Sequence, residues 1–147
     1  MKDKAVYRIR EFNQFYLPAL DLLGNHYLGS EYSATEARVL YEVYITGRCN
    51  AAHIVNVMNI DKSYLSRIIK SHEKKGYLVR SVSKQDSRSF DIRLTDKGRE
   101  RTEDFIRRSN QQIAKIVQPL NEEESEQLIN ALNTVTDILK KCKDPSM

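Results

Sequence analysis

The stretch from Asp61 to Thr95 constrains the fold most, because its apolar residues change their period at Gly76. Before this glycine, one face of a helix is made at helical spacing by Leu65, Ile68, Ile69 and His72. Asp61 is suited to cap this helix by accepting from the free amides of its first turn, and Gly76 is suited to end it in left-handed backbone. We therefore predict an amphipathic helix that begins at Asp61 and stops at Gly76.

A β-hairpin is predicted directly after the glycine. Phe90, Ile92 and Leu94 alternate with polar residues, which is the period of a half-buried strand. Residues 77–83 supply the partner strand, and the segment 84–89 between the two is wholly polar and carries two cations. The order of helix, glycine and basic-tipped hairpin indicates a winged helix-turn-helix.

Two further helices are predicted before Asp61. Ser33 and Glu36 form a capping box at the start of a helix that Gly47 ends. Asn50 caps a brief second helix, and residues 47–49 between the two are predicted to add a short third strand to the sheet of the wing. The succession of helix, short turn and helix is the spacing of a DNA-reading motif.

The outward face of the helix that starts at Asp61 carries charge of one sign. Ser63, Arg67, Lys70 and Lys74 lie on one stripe, with Ser66 beside them, and this stripe has three cations and no acid. Charge on a helix usually marks a plain solvated face, but solvated faces tend to mix the two signs. The single sign therefore favours a binding surface.

Charge is also unevenly distributed along the chain, whose 147 residues are enough for one domain. Residues 61–101 hold twelve Lys or Arg against six acids, whereas residues 119–142 hold five acids against two Lys. Nucleic acid is the natural partner of the basic block, because each phosphate that is neutralised releases counterions.

A short pattern in the hairpin identifies a family. Asp86-x-Arg88, followed after five residues by Leu94-Thr95-Asp96-x-Gly98, resembles the wing signature of the MarR family of bacterial transcription regulators. Ser66-Arg67 and the segment 33–36 extend a resemblance that covers nearly the whole chain. It implies a mainly α fold with a small β-hairpin wing (α+β), in a single domain spanning residues 1–147. Within that domain, a winged helix-turn-helix at about residues 33–98 is flanked by dimerisation helices at about 3–28 and 99–142.

The flanking helices carry apolar stripes of their own. In the first, apolar residues recur from Val6 to Tyr27, and Pro18 is expected to bend it. Thr95 caps the second, and Asn121 caps the last, whose first turn is acidic. We interpret these helices as the interface of a homodimer; the alternative is an intramolecular bundle.

In a helix-turn-helix, the N-terminal half of the second helix enters the major groove of double-stranded DNA. The candidate DNA-binding residues there are Lys62, Ser63, Tyr64, Ser66, Arg67 and Lys70. Arg67 is the best candidate for a base contact, because a guanidinium can fork onto guanine O6 and N7; a phosphate clamp is the alternative. Tyr64 has three open roles, which are stacking on sugar, donating to phosphate, and packing on the neighbouring helix.

The resemblance implies roles for the polar tip of the hairpin. Arg88 is expected to enter the minor groove, where narrow A·T-rich stretches focus negative potential. Asp86 is expected to orient Arg88, the alternative being a surface salt bridge between them. Lys84 and Arg93 are predicted to contact the DNA backbone.

The residues predict neither an enzyme nor a cofactor. No set of nucleophile, base and orienting group can be assembled from the sequence. Cys49 and His53 have the spacing of two metal ligands, but a zinc site needs at least three protein ligands. Cys49 and Cys142 are expected to stay free in a reducing cytosol, with Cys49 a small core residue rather than a thiol switch.

The resemblance also implies a small-molecule effector. Relatives bind small aromatic anions in a cleft between the dimer helices and the winged unit, although aromatic residues at helical spacing are more often core. The sequence identifies no ligand, but the candidates to line such a cleft are Tyr16, Tyr27, Tyr32, Tyr41 and Tyr44.

Together these features predict a homodimeric, sequence-specific DNA-binding regulator, a repressor of a pseudo-palindromic operator that a small aromatic ligand releases. The N-terminus lacks the apolar run of a signal peptide, and no stretch approaches membrane-spanning length, so we expect a cytoplasmic protein without a membrane partner. Three alternatives stay open: a winged helix that holds a protein partner, a thiol-based redox-sensing regulator, and the regulatory part of a regulator–enzyme fusion.

Overall fold

The computed structural model describes residues 1–83 and 90–143. The helices and strands among these residues are α1 (Lys2–Ala19), α2 (Ala34–Thr46), α3 (Ala51–Met58), α4 (Lys62–Lys74), β1 (Leu78–Val82), β2 (Phe90–Leu94), α5 (Asp96–Val117) and α6 (Glu122–Lys143). The chain divides into two compact units, the first from Met1 to Asn110 and the second from Gln111 onward. Six helices with one antiparallel hairpin confirm the predicted fold class.

Side-chain caps begin the helices where the sequence predicts them. At α4, the Asp61 carboxylate accepts from the Tyr64 amide at 3.0 Å. At α2, Ser33 and Glu36 make both hydrogen bonds of the capping box. The remaining caps that accept from a first-turn amide are Asn50, Thr95 and Asn121.

The first helix is shorter than the sequence predicts. α1 ends at Ala19, directly after Pro18, so the proline lies in the last turn and does not bend a longer helix. Asp21 and Leu28 then adopt left-handed backbone, and the Asp21 carboxylate accepts from the Leu28 amide at 2.9 Å. This loop removes Tyr27 from the helix and places it in one turn of 3-10 helix. The end of α1 predicted from the apolar period was therefore wrong, because apolar residues recur at similar spacing in the loop that follows the helix.

The hairpin pairs β1 and β2 in antiparallel register, with Leu78 opposite Leu94. Ile92 also pairs with Cys49: its amide donates to the Cys49 carbonyl at 2.7 Å, and its carbonyl accepts from the Cys49 amide at 3.1 Å. This bridge confirms the third strand predicted at 47–49, reduced to one paired residue. The hairpin tip, residues 84–89, lies outside the described residues.

Apolar residues of α2, α3, α4 and the hairpin form the core of the first unit. Its fully buried members include Val39, Leu40, Val43, Ile54 and Leu65. The buried residues of α4 are those that the sequence predicts, namely Leu65, Ile68, Ile69 and His72. The opposite face of α4 is thereby turned to solvent.

The start of α5 is anchored on the turn between α4 and β1. A Cβ atom at Gly98 would lie 2.0 Å from the Tyr77 carbonyl oxygen, so only glycine fits there. Thr95 donates its amide to the same carbonyl at 3.0 Å and its hydroxyl to the Gly76 carbonyl at 2.5 Å. Gly76 has a φ of +82°, as a left-handed helix stop requires. The Leu94-Thr95-Asp96-x-Gly98 motif therefore joins α5 to the end of the second helix of the helix-turn-helix.

The terminal helices α1 and α6 expose apolar side chains. On α6, helical spacing puts Leu128, Leu132, Val135 and Leu139 on one face, and Leu132 and Val135 are 47% and 50% exposed. On α1, Val6 and Ile9 are exposed to a similar degree. Among the described residues, none of the helices combines the length and the apolar content needed to cross a membrane.

Candidate nucleic-acid interface

The predicted DNA-binding residues of α4 lie together on its exposed face. We define the α4 surface as the exposed side chains of Lys62, Ser63, Tyr64, Ser66, Arg67, Lys70 and Lys74. Ser63 and Arg67 are one turn apart, and Lys70 and Lys74 continue the same line along the helix. The structure therefore brings six predicted residues, and Lys74 with them, onto one surface.

The cations of the α4 surface are not neutralised within the described part of the chain. Other arginines pair with carboxylates, for example Arg80 with Glu73 at 2.7 Å and Arg48 with Asp91 at 3.3 Å. Lys62, Arg67, Lys70 and Lys74 form no ion pair with any residue in 1–83 or 90–143. The positive charge of this surface is thus available to an anionic partner.

Tyr64 and Arg67 contact each other on this surface. The guanidinium carbon of Arg67 lies 5.9 Å from the centroid of the Tyr64 ring, within the range of a cation–π contact. Tyr64 is 39% exposed, so its ring covers part of the helix surface and does not enter the core. Of the three roles that the sequence leaves open for Tyr64, the structure does not favour packing on the neighbouring helix.

The wing is described only at its base. Arg93 is exposed on β2, on the solvent side of the hairpin. Lys84, Asp86 and Arg88 lie outside the described residues, so their roles stay predictions.

Two ion pairs that the sequence analysis missed hold the base of the wing. Arg48 pairs with Asp91 at 3.3 Å and also donates to the Ser81 hydroxyl at 2.8 Å, which links the short strand to both hairpin strands. Arg80 pairs with Glu73 and so links β1 to α4. Arg48 and Asp91 are far apart in sequence. Arg80 and Glu73 are only seven residues apart but lie on different elements, so no helical or strand period connects either pair.

Behind α4 lies a buried polar cluster on which its position depends. The His72 side chain is fully buried, and its Nε2 donates to the Glu36 carbonyl at 2.9 Å. The His72 ring packs against Tyr32 and Tyr77, and the Tyr32 hydroxyl donates to the Tyr77 hydroxyl at 3.2 Å. Burial lowers the pKa of His72 and raises the pKa of Tyr32, so both are neutral near pH 7. The sequence predicts the burial of His72 but not its partners.

A cleft of about 490 Å³ opens in the first unit beside α2. Tyr27, Tyr41 and Phe105 line it, and Arg38 is the cation in its wall. Its other lining residues are Leu22, Ala34, Thr35, Ala37, Met58, Ile60, Thr102, Ile106, Ser109 and Asn110.

Of the five tyrosines predicted to line a cleft, two do so. Tyr32 is instead part of the core, and the lining includes neither Tyr16 nor Tyr44. These three tyrosines lie outside this cleft; a list of tyrosines does not show which side of each helix faces it. Arg38 lies 2.6 Å from the buried Glu42 carboxylate, so part of its charge is neutralised.

Both cysteines are free, Cys49 buried and Cys142 exposed. Burial raises the pKa of the Cys49 thiol, as expected of a core residue. Within residues 1–83 and 90–143, no three His, Cys, Asp or Glu side chains come close enough together to hold a metal ion.

Comparison with known proteins identifies related chains. Residues 32–90, which run from Tyr32 through the helix-turn-helix to the first residue of β2, match the model of the MarR family. HTH-type transcriptional regulator BilQ of Clostridioides difficile is 28% identical over 109 residues, which cover 73% of this chain and 74% of that protein.

Solved structures share the fold. Wild-type apo MarR from E. coli superposes with a TM-score of 0.73 at 20% identity, covering 88% of this chain and 94% of that one. A mutant of the same protein complexed with operator DNA gives 0.66 at 20% identity, over 88% and 91% of the two chains. Bordetella bronchiseptica BpsR, whose DNA binding is regulated by 6-hydroxynicotinic acid, gives 0.69 at 21% identity, over 89% and 91%.

The family match covers the helix-turn-helix, and the winged fold is that of the solved relatives. The helix-turn-helix of this chain is therefore similar to that of the MarR family, and the chain is similar to the transcriptional regulator BilQ over most of its length.

Proposed function

We propose that this protein is a homodimeric repressor that reads a pseudo-palindromic operator through the α4 surface and is released by a small aromatic effector. The observation that carries this proposal is the charge of the α4 surface. It is of one sign, is not neutralised by any described residue, and lies on a helix held in place by a buried opposite face. Such a surface matches the phosphates that line a DNA groove.

Within the α4 surface, the N-terminal half of the helix reads the major groove. Ser63 and Ser66 are short and let the helix approach the floor of the groove, while Arg67 reaches a base edge or a phosphate. Lys62 and Lys70 meet phosphates on either side. On the wing, Arg88 enters the minor groove and Asp86 orients it, as the family resemblance implies, while Lys84 and the exposed Arg93 contact the DNA backbone.

A homodimer explains the exposed apolar faces of the terminal helices. Helices within about residues 3–28 and 99–142 form the interface, and residues 33–98 form the winged helix-turn-helix. A two-fold axis then relates two copies of α4, which address half-sites about one helical turn, or roughly 10 base pairs, apart.

The cleft beside α2 suits the effector. Its volume of about 490 Å³ lies within the usual range for small-molecule sites, and it combines aromatic walls with one cation, Arg38. The small aromatic acid that regulates BpsR, a protein of the same fold, is a ligand of this kind. We propose that an occupant of the cleft changes the distance between the two α4 helices, so that both no longer fit successive major grooves.

Fluorescence anisotropy tests the DNA-binding proposal. The protein is titrated into a labelled duplex from upstream of its own gene, into a duplex selected by the protein from a randomised pool, and into a scrambled duplex, over a series of salt concentrations. We expect tight, steeply salt-dependent binding that prefers the selected duplex. If no duplex is bound even at low salt, the proposal is wrong and a protein-interaction module is favoured.

Replacing Arg67 tests the role of the α4 surface. If Arg67 reads a base, Arg67→Ala should weaken binding by about 1–3 kcal/mol and relax specificity at one position in each half-site. A uniform loss on every sequence would assign it to a phosphate instead. Lys143→Ala, which removes an exposed cation outside the α4 surface and outside the proposed dimer interface, is the control for the change in net charge. Unchanged affinity for Arg67→Ala would remove this residue from the interface.

A further inference from the structure

Tyr64 and Arg67 are held in contact with each other on the exposed face of α4. The Asp61 carboxylate holds the Tyr64 amide at 3.0 Å, so the first turn of α4 is fixed at this residue. Side chains of a helix lean towards its N-terminus, and Arg67 therefore reaches back over the turn that contains Tyr64. The result is a guanidinium whose carbon lies 5.9 Å from the ring centroid.

This contact leaves the hydrogen-bonding edges of the guanidinium unused. Arginine binds bases and phosphates through its N–H groups, and a guanidinium that stacks on an aromatic ring keeps those groups free. Within residues 1–83 and 90–143, no acceptor takes a hydrogen bond from Arg67, and no donor or acceptor binds the Tyr64 hydroxyl. The two side chains thus contact each other, while the guanidinium and the hydroxyl have no hydrogen-bond partner among the described residues.

We propose that Tyr64 is a positioning residue that holds the guanidinium of Arg67 in the orientation in which it meets DNA. The aromatic ring restricts a long, flexible side chain before binding, so less rotamer freedom is lost when Arg67 forms its contact. Tyr64 then acts through Arg67 and makes no hydrogen bond to DNA of its own. This inference rests on the proposed DNA-binding function and assigns one role where the sequence leaves three.

A double-mutant cycle tests the inference on the duplex that the wild-type protein selects from a randomised pool. Tyr64→Leu removes the ring and should weaken binding about two- to five-fold, the range expected from an exposed cation–π contact. It should also relax discrimination at the base position that Arg67→Ala relaxes. Tyr64→Phe keeps the ring and removes only the hydroxyl, so it should bind like the wild type. In the Arg67→Ala background, Tyr64→Leu should have no further effect.

Two results would overturn the inference while leaving the proposed function intact. If Tyr64→Phe is as weak as Tyr64→Leu, the hydroxyl itself contacts DNA. If Tyr64→Leu weakens binding equally with and without Arg67, the ring contacts DNA independently. Tyr44→Leu removes the ring over which the Arg99 guanidinium lies at 5.8 Å, outside the α4 surface, and is the matched control for loss of an aromatic side chain.

A measurement on the free protein separates this inference from the proposed function. The ring of Tyr64 should shift the side-chain proton resonances of Arg67 upfield, and Tyr64→Leu should remove that shift whereas Tyr64→Phe should keep it. If the shift is missing from the wild-type spectrum, Tyr64 does not orient Arg67, whatever the protein binds. If the shift is present but no duplex is bound, the contact between Tyr64 and Arg67 exists but the proposed DNA-binding function is wrong. The positioning role is then wrong as well.

Discussion

His72 carries an unpaired nitrogen in the middle of the folded core. Its Nε2 faces the Glu36 carbonyl, which only accepts hydrogen bonds, so Nε2 holds the proton and Nδ1 is bare. Among the described residues, Nδ1 has no hydrogen-bond partner. The rings of Tyr32 and Tyr77 face it, and the nearby cation of Lys75 and the Glu36 carboxylate act on its charge in opposite senses, with burial the larger cause that lowers its pKa.

The stability of the protein should therefore fall in mild acid. Because the pKa of His72 is lower in the folded chain than the ordinary 6.5, the unfolded chain binds a proton first as the pH falls. The stabilisation is fully present above about pH 6.5 and declines below it, until the pH reaches the folded pKa. Urea titrations at several pH values between about 7 and 5 measure the slope.

Replacing the imidazole shows whether this residue causes the slope. His72→Gln retains an N–H donor for the Glu36 carbonyl and does not titrate, so it should be less stable at neutral pH and lose part of the acid slope. His26→Gln, at an exposed position, is the matched control. Equal slopes for the wild type and His72→Gln would contradict the assignment.

At the scale of elements, the junction of α4, β1 and α5 depends on one glycine. Gly98 lies inside the first turns of α5, where alanine would ordinarily be better by about 1 kcal/mol. A Cβ there meets the Tyr77 carbonyl oxygen at 2.0 Å, and the backbone of one element has to move. We expect Gly98→Ala to destabilise the protein by about 1–3 kcal/mol, the usual cost of overpacking. Urea unfolding measures this change in the free energy of unfolding, and Glu100→Ala on the exposed side of α5 is the control. A Gly98→Ala protein more stable than the wild type would show that the gain in helix propensity exceeds the cost of the steric clash.

The sequence predicts the elements of this protein better at their starts than at their ends. A cap such as Ser33 or Asp61 bonds an amide three residues away, so the signal and its effect are local. The end of α1 was predicted wrongly because the apolar positions up to Tyr27 continue through a loop that Asp21 stabilises. The link of Arg48 to Asp91 depends on tertiary packing and has no signature in either segment.

In the candidate site too, local features were predictable from the sequence and features that depend on tertiary packing were not. The α4 surface was predictable, because helical spacing alone separates Arg67 and Lys70 from the buried Ile68 and Ile69. The cleft was not, because its walls come from segments as distant as Leu22 and Asn110.

At the scale of the molecule, the formal net charge of +4 conceals a basic centre and an acidic C-terminal part. The apolar face of α6 lies in the acidic part, and Leu132 is at its middle. Under the proposed function, this face is covered by a second copy of the chain.

A charge on that face should separate the copies. Leu132→Glu is expected to shift the protein from dimer to monomer in sedimentation equilibrium and to weaken operator binding at least about ten-fold, since two linked half-sites become independent. Asn130→Glu introduces the same charge on the opposite side of α6 and should change neither property. A dimer that persists in Leu132→Glu would place the interface elsewhere.

The pairing of Cys49 with Ile92 makes the reactivity of the Cys49 thiol a measure of local opening in the winged unit. A buried thiol with a raised pKa reacts with an alkylating reagent or an oxidant only after the structure around it opens. The reaction rate of Cys49 therefore depends on how often the wing opens. The exposed Cys142 gives the reaction rate of an unhindered thiol in the same sample. An oxidative signal that acted through Cys49 would depend on those openings, so oxidation would be slower at Cys49 than at Cys142 by the small fraction of time for which the buried thiol is exposed.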